Sequence, residues 1–184
     1  MQKGFTLIEL LVVIALIAVL AVAVVLALNP AELLKQGRDS TRISDLANIN
    51  SALSLYLVDV ATSSAMGNYN TCYVHASSGA TLANCQARFA SGISTTSLIA
   101  SQAVNGQGWI PVNLTAISSG SPLPRYPIDP TNNATYYYAF RPGTTTGFYE
   151  INAVLESSKY IPQMASDGGS SSTVYEVGTD ITNL

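Results

Sequence analysis

Charged residues make up only 10% of the 184 positions, eight Lys and Arg against eleven Asp and Glu. With no basic excess the chain has little with which to neutralise a run of phosphates, which argues against a nucleic-acid binder. It holds one histidine, His75, and two cysteines, Cys72 and Cys85. A single imidazole makes a Ser-His-Asp arrangement a poor wager, and no nucleophile, base and orienting acid stand out, so the sequence reads as a non-enzyme. Two thiols and one imidazole also fall short of the four ligands of a structural zinc site. Disorder is disfavoured from the opposite direction, because 48% of the residues are apolar. At this length one domain of ordinary size is expected.

The apolar residues are concentrated at one end, and residues 10–28 contain nothing polar. About 20 apolar residues rising ~1.5 Å each cross the ~30 Å hydrocarbon core of a bilayer, and extended back to Phe5 this run covers 24 residues. A removable secretory signal would have an apolar core of about 7 to 15 residues ending at small residues; this one is longer and ends at Asn29-Pro30. A plain anchor has no use for Glu9, because a carboxylate inside the span costs ~2.5 to 3.5 kcal/mol even on mild insertion scales. Pro30 predicts a kink rather than a stop, since a helical pattern continues over residues 31–60. Ile43, Leu46, Leu53, Leu57 and Val60 form its apolar face, with Asn50 as a polar interruption. Lys35 with Asp39 and Arg42 with Asp45 read as exposed pairs one turn apart, and Gly37 as a weak point in the helix.

Residues 60–124 carry a single charge, Arg88, and 17 Ser or Thr, a composition that suits a long surface excursion rather than a core element. Asn113-Leu114-Thr115 and Asn133-Ala134-Thr135 match the glycosylation acceptor pattern, which is short enough to arise by chance. Strand signals come late: residues 135–140 with three tyrosines, a loop over 141–147, a return strand over 148–155 and a third short strand over 173–177. Together they predict a small antiparallel sheet with one face exposed and the other covered by the apolar stripe of the helix.

The first ten residues, Met1-Gln2-Lys3-Gly4-Phe5-Thr6-Leu7-Ile8-Glu9-Leu10, resemble the processing site of type IV prepilins and of the pseudopilins of type II secretion. The matching parts are a short basic leader with Lys3, Gly4 before the cut, the aromatic Phe5 and Glu9 at the fifth mature position. Leu123-Pro124-Arg125-Tyr126-Pro127-Ile128-Asp129-Pro130, followed by the tyrosines, resembles the segment that leads into the hairpin of major pseudopilins. The resemblance covers both ends of the chain and leaves the middle unmatched.

It implies an α+β pilin fold, a long kinked N-terminal helix packed on a small antiparallel sheet of about three to four strands. Residues 1–4 would be the leader, 5–28 the membrane-spanning and filament-core half of the helix, 29–60 its head-packed half and 61–184 the head, divided into a polar loop region (61–124) and a sheet with its C-terminal loop (125–184). A prepilin peptidase would cut between Gly4 and Phe5 and methylate the new amino group, giving N-methylphenylalanine. In a stack of helices the cationic terminus of Phe5 then meets Glu9 of a neighbour, and a pair of charges that are each costly alone acts as a register device. The implied partners are further copies of the chain, the prepilin peptidase, an inner-membrane assembly platform, minor pilins and, before assembly, the membrane, with the head outside. A head outside the cell makes a Cys72–Cys85 disulfide the expected state. The tail, Ser166-Asp167-Gly168-Gly169 and Gly178-Thr179-Asp180-Ile181, resembles the calcium loop of major pseudopilins, which implies Ca²⁺ on Asp167 and Asp180 with carbonyls near Met164 and Ser171. The usual second acid before Asp180 is missing, and a plain Asp-Gly turn is the alternative. A pilus-like filament subunit, a major pseudopilin and a membrane-anchored surface-binding protein that does not assemble are the readings in order of support.

Overall fold

The structure is a computed structural model that describes residues 4–60, 66–90, 92–145 and 147–184, with the backbone alone at 26–28. Helix α1 (Leu7–Leu28) is apolar apart from Glu9, and none of the described residues covers it: Leu7–Val25 is exposed throughout. It ends at Asn29, whose backbone is left-handed (φ 41°), a conformation that asparagine tolerates better than most residues. Pro30 then starts helix α2 (Pro30–Asp59), at the one helical position where its missing N–H and fixed φ do no harm. The expected kink is therefore a break of one residue.

The face that α2 turns to the head is made of Asp39, Arg42, Leu46, Ile49, Ala52, Leu53 and Tyr56, spaced three and four apart. This corrects the sequence reading in two ways. Ile43, Leu57 and Val60 are only half-buried, and Asp39 and Arg42, read as exposed, are fully buried. Periodicity places the stripe where apolar residues recur, but the charged pair is drawn inward by partners about ninety residues or more away, which no local pattern reveals.

The sheet has five strands in the order β2-β1-β3-β4-β5, not three or four. They are β1 (Thr71–His75), β2 (Thr95–Ile99), β3 (Ala139–Pro142), β4 (Tyr149–Ala153) and β5 (Tyr175–Gly178). All neighbours are antiparallel except β1 and β2, which run parallel. A parallel pair needs a crossover, and here it contains a short helix, α3 (Leu82–Gln86). Cys85 on α3 is joined to Cys72 on β1 by a disulfide spanning 13 positions, which stabilises the fold by roughly 3 kcal/mol through restriction of the unfolded chain. The polar middle is thus an integral part of the sheet, not an excursion from it.

Both faces of the central strands β1, β3 and β4 are buried, a further departure from the expectation. On one face Tyr73, Phe140, Tyr149, Ile151 and Ala153 meet Leu46, Ile49, Leu53 and Tyr56 of α2, and Trp109, Ile110, Val112, Leu114 and Ile117 close the side. The Trp109 indole donates to the Pro127 carbonyl at 3.1 Å. On the other face Cys72, Val74, Ala80, Cys85, Phe89, Ile93, Tyr137 and Ala139 form a second cluster, and beside it lie Arg141, Glu150, Asn152 and Glu176, all buried.

Candidate assembly surface and associated sites

From Gly4 onward the N-terminal residues are exposed. Gly4 has nothing within 4 Å of where a Cβ would be, and Phe5 is 92% exposed, so the Gly4–Phe5 bond lies open to a protease cleft; Lys3 lies outside the described residues. Thr6 caps α1, and the cap is reciprocal. The Glu9 N–H donates to Thr6 Oγ1 at 3.3 Å, while the Thr6 N–H and hydroxyl both donate to Glu9 Oε2 at 2.8 Å. The Thr6-Leu7-Ile8-Glu9 spacing is a capping box, a signal present in the sequence that the reading of Glu9 as an assembly residue passed over. All three hydrogen bonds fall on one carboxylate oxygen or the threonine hydroxyl, and among the described residues Oε1 of Glu9 takes none.

On α2 the charges turn toward the head. Glu32 accepts the Ser158 N–H and hydroxyl at 2.6 Å, Arg38 grips Glu156 through two bonds of 2.6 and 2.7 Å, Tyr138 donates to Asp45, and Asp59 accepts the Ser118 N–H and hydroxyl. At the centre Arg42 donates to Asp129 through Nε (2.7 Å) and Nη2 (3.0 Å), to Asp39 (2.8 Å) and to Glu156 (2.7 Å). Asp39 in turn accepts the Glu156 N–H, the Ser157 N–H and the Ser157 hydroxyl. The hydrogen bonds of Arg38 and then Arg42 hold the Glu156 carboxyl down at about 2, against the opposing effect of burial. One guanidinium facing three carboxylates, each with further donors, is the arrangement under which a buried charge cluster is tolerated.

The opposite face of α2 is uncharged. Gly37, Ser44, Ala47, Ser51, Leu55 and Val58 follow one another at helical spacing and are all exposed. A helix on the surface of a soluble domain carries its charges outward; this one buries Asp39 and Arg42, ties Glu32, Arg38, Asp45 and Asp59 to the head, and shows water small and apolar residues along the stripe.

Asp167 and Asp180 lie on neighbouring turns, because the Ser170 N–H donates to the Ile181 carbonyl at 2.9 Å. Each is engaged with its own turn. Asp167 accepts the Gly169 and Glu176 N–H groups on its two oxygens, at 2.9 and 2.7 Å, and Asp180 accepts the Asn183 amide at 2.8 Å and the Asn183 N–H. Calcium requires six to eight oxygens, and here both Asp167 oxygens and Asp180 Oδ1 accept hydrogen bonds from their own turns. Among the described residues no three His, Cys, Asp or Glu are grouped as a metal site. The melting temperature of the full chain in detergent is accordingly expected to stay unchanged when a calcium chelator is added, as measured by Trp109 fluorescence. In both glycosylation-type sequences the asparagine oxygen accepts an N–H two residues on, Asn113 from Thr115 and Asn133 from Thr135, so each forms its own turn. His75 ends β1 with its ring against Ser77 at 2.7 Å.

Residues 1–25 match the family model of the prokaryotic N-terminal methylation motif, the signature of type IV pilins and pseudopilins. No curated protein and no solved structure matches the chain. The motif and the exposed apolar helix indicate a substrate of prepilin peptidase that is anchored in a membrane before assembly.

Proposed function

We propose that this chain is the structural subunit of a type IV pilus-like surface filament and has no catalytic role. Residues 1–4 are removed by prepilin peptidase, Phe5 is N-methylated, residues 5–28 hold the subunit in the inner membrane with the head outside, and an assembly platform with minor pilins feeds it into a helical homopolymer. In the polymer Glu9 of one copy pairs with the Phe5 terminus of the next.

The observation that carries this reading is the polarity of the rod formed by α1 and α2. A helix that is apolar all round must be covered by lipid or by protein. The outward stripe from Gly37 to Val58 continues that uncharged surface beyond the apolar span, where a neighbouring copy can cover it. Serine, alanine and glycine at these positions let neighbouring helices approach closely. A secretion pseudopilus subunit is the second reading, favoured by the 123–130 segment and the hairpin that follows it; the crossover with its disulfide enlarges the head and weighs against it.

Ser51→Glu tests the proposal, because it puts a charge in the middle of the stripe without touching the head. Cleavage and Trp109 fluorescence are expected to be normal, while the amount of this chain recovered in long filaments sheared from cells falls at least tenfold. Wild-type filament yield from Ser51→Glu cells would overturn the packing surface. Absence of the unaltered chain from sheared filaments, with loss of protein export on deleting it, would favour the pseudopilus.

A further inference from the structure

Acids and bases are shared unevenly at the start of α2. Glu32, on its first turn, is occupied by the head, since its carboxylate accepts both the N–H and the hydroxyl of Ser158. Asp39 and Glu156 are taken up by Arg42 and Arg38. Two cations at the same end, Lys35 and Lys159, enter no ion pair among the described residues. The ties along α2 show that this is one end of the head. Ser158 is held at Glu32 and Ser118 at Asp59, separated by about 40 Å of helix. The turn after Ser158 is closed, because the Tyr160 and Ile161 N–H groups both donate to the Ser157 carbonyl, at 3.1 and 3.0 Å. Lys159, Tyr160 and Ile161 are therefore fixed beside the beginning of α2.

The same end shows apolar surface. Leu33 is 53% exposed, Leu34 66% and Ile161 44%, and the Lys159 ammonium lies 4.8 Å from the centre of the Tyr160 ring. Leucine and isoleucine beside lysine and tyrosine suit the layer where a bilayer meets water, in which long cationic and aromatic side chains keep an apolar body down and a polar tip up. The height agrees. An apolar run of 24 residues from Phe5 rises about 36 Å, against a hydrocarbon core of ~30 Å and a headgroup layer of about 5 to 8 Å on each side. The helix thus leaves the core near Asn29, and Leu33 and Leu34 follow within about 8 Å. Lipid already covers α1 in the anchored state, and this surface continues it without a gap.

We propose that this end of the head is a lipid-facing collar: before assembly Leu33, Leu34 and Ile161 enter the headgroup layer, Tyr160 lies at its level, and Lys35 and Lys159 bind the headgroups of acidic phospholipids. The collar rests on the membrane-anchored state of the proposed function and adds to it a defined face and a lipid class. Glu32 has a part in it, because its bonds to Ser158 turn the one acid of the first helical turn away from the lipid phosphates and hold the 158–161 turn down on the membrane side. Two points of contact, one on α2 and one on the head, fix the tilt of the head over the bilayer, and a subunit leaving for a filament has to give both up.

The test places the full chain at low density in vesicles of phosphatidylcholine, with and without phosphatidylglycerol. A polarity-sensitive dye is attached to a cysteine introduced at one position at a time, Cys72 and Cys85 being joined to each other, and lipids with a nitroxide just below the headgroup act as quencher. Labels on Ile161→Cys and Leu34→Cys are expected to be quenched when the acidic lipid is present, and a label on Val58→Cys, at the far end of α2, is not. Adding Lys35→Gln and Lys159→Gln should lower the ratio of docked to free label about fivefold per lysine and remove the dependence on acidic lipid. A label on Val19→Cys reports the anchor itself. Quenching at Val19 without quenching at Ile161 or Leu34 overturns the collar and leaves the anchor standing; quenching at none of the three overturns both. Equal quenching at Val58, or quenching unchanged without the two lysines, also overturns the collar. So does shielding that grows with protein density and not with the lipid quencher, which assigns this end to a second copy. Trp109 fluorescence before labelling checks folding, and should Ile161→Cys fail that check, Leu34→Cys decides.

Discussion

Arg42→Met is expected to lower the stability of the head by roughly 3–5 kcal/mol, the usual cost of removing one partner from a buried ion cluster. Methionine fills much of the same space, so the loss is electrostatic rather than a cavity effect. Without the guanidinium, Asp39, Asp129 and Glu156 face one another with the positive centre gone. Asp39 keeps its Ser157 donors and Asp129 keeps the Thr131 and Asn132 N–H groups. Glu156 keeps Arg38. The cluster is therefore weakened but not left bare. Trp109 is the only tryptophan and is 1% exposed, which makes urea unfolding followed by its fluorescence the natural measurement. A loss below about 1 kcal/mol would mean that the apolar contacts of α2 hold the head without the cluster.

The same variant has a pH signature. A carboxyl held low in the folded state adds stability that is complete above its unfolded value near 4.5 and is lost as pH falls toward about 2. With Arg42 removed, Arg38 still holds the Glu156 carboxyl below its ordinary value, so acid unfolding of Arg42→Met loses only the share of that slope that Arg42 supplied. Adding Asp129→Asn should restore part of the loss, because it removes one of the three repelling charges. A double-mutant cycle measures that coupling directly.

The largest functional effect is expected at Glu9. Glu9→Leu should leave cleavage after Gly4 intact and abolish filaments. The variant subunit is more at ease in the membrane than the natural one, since it no longer carries a carboxylate that costs ~2.5 to 3.5 kcal/mol at depth, so a defect cannot be blamed on failure to insert. The capping box adds a second explanation that must be separated: loss of Glu9 also unties the first turn of α1, an effect of about 1 kcal/mol. Glu9→Gln does the separating. A glutamine amide oxygen still accepts the Thr6 N–H, but it brings no charge to a neighbour's ammonium. Filament yield from Glu9→Gln as low as from Glu9→Leu identifies the charge as the cause, and wild-type yield identifies the cap.

Residues acting through local spacing were legible in the sequence. The span, the kink at Asn29-Pro30, the hairpin around Gly147 and the Cys72–Cys85 bond all follow from patterns within a few residues or from a count of two thiols. Arg42 was misplaced because its partners, Asp129 and Glu156, lie 87 and 114 positions away, and at one-dimensional range it looks like any exposed helix charge. The β1–α3–β2 unit was missed for a related reason. Its strands, Thr71–His75 and Thr95–Ile99, are short and rich in hydroxyls, and they become strands by pairing with each other and with β3 rather than by alternation. Strand β4 illustrates the limit from another side. Its alternation of Glu150 and Asn152 with Ile151 and Ala153 suggests a wet face, yet that face is sealed beneath the α3 segment and the turn after residue 166.

The long reach of Arg42 also orders events in time. A chain made from its N-terminus places α1 in the bilayer first, and α2 emerges beside it with a cluster whose other members have yet to be synthesised. Asp129 arrives after most of the head, and Glu156 later still. Until then Arg42 has only Asp39, one turn away, and water as partners, and two of its three carboxylates are missing. The 156–158 turn supplies the last oxygens of the cluster, and a chain cut short before that turn would leave α2 without the partners that tie it to the head.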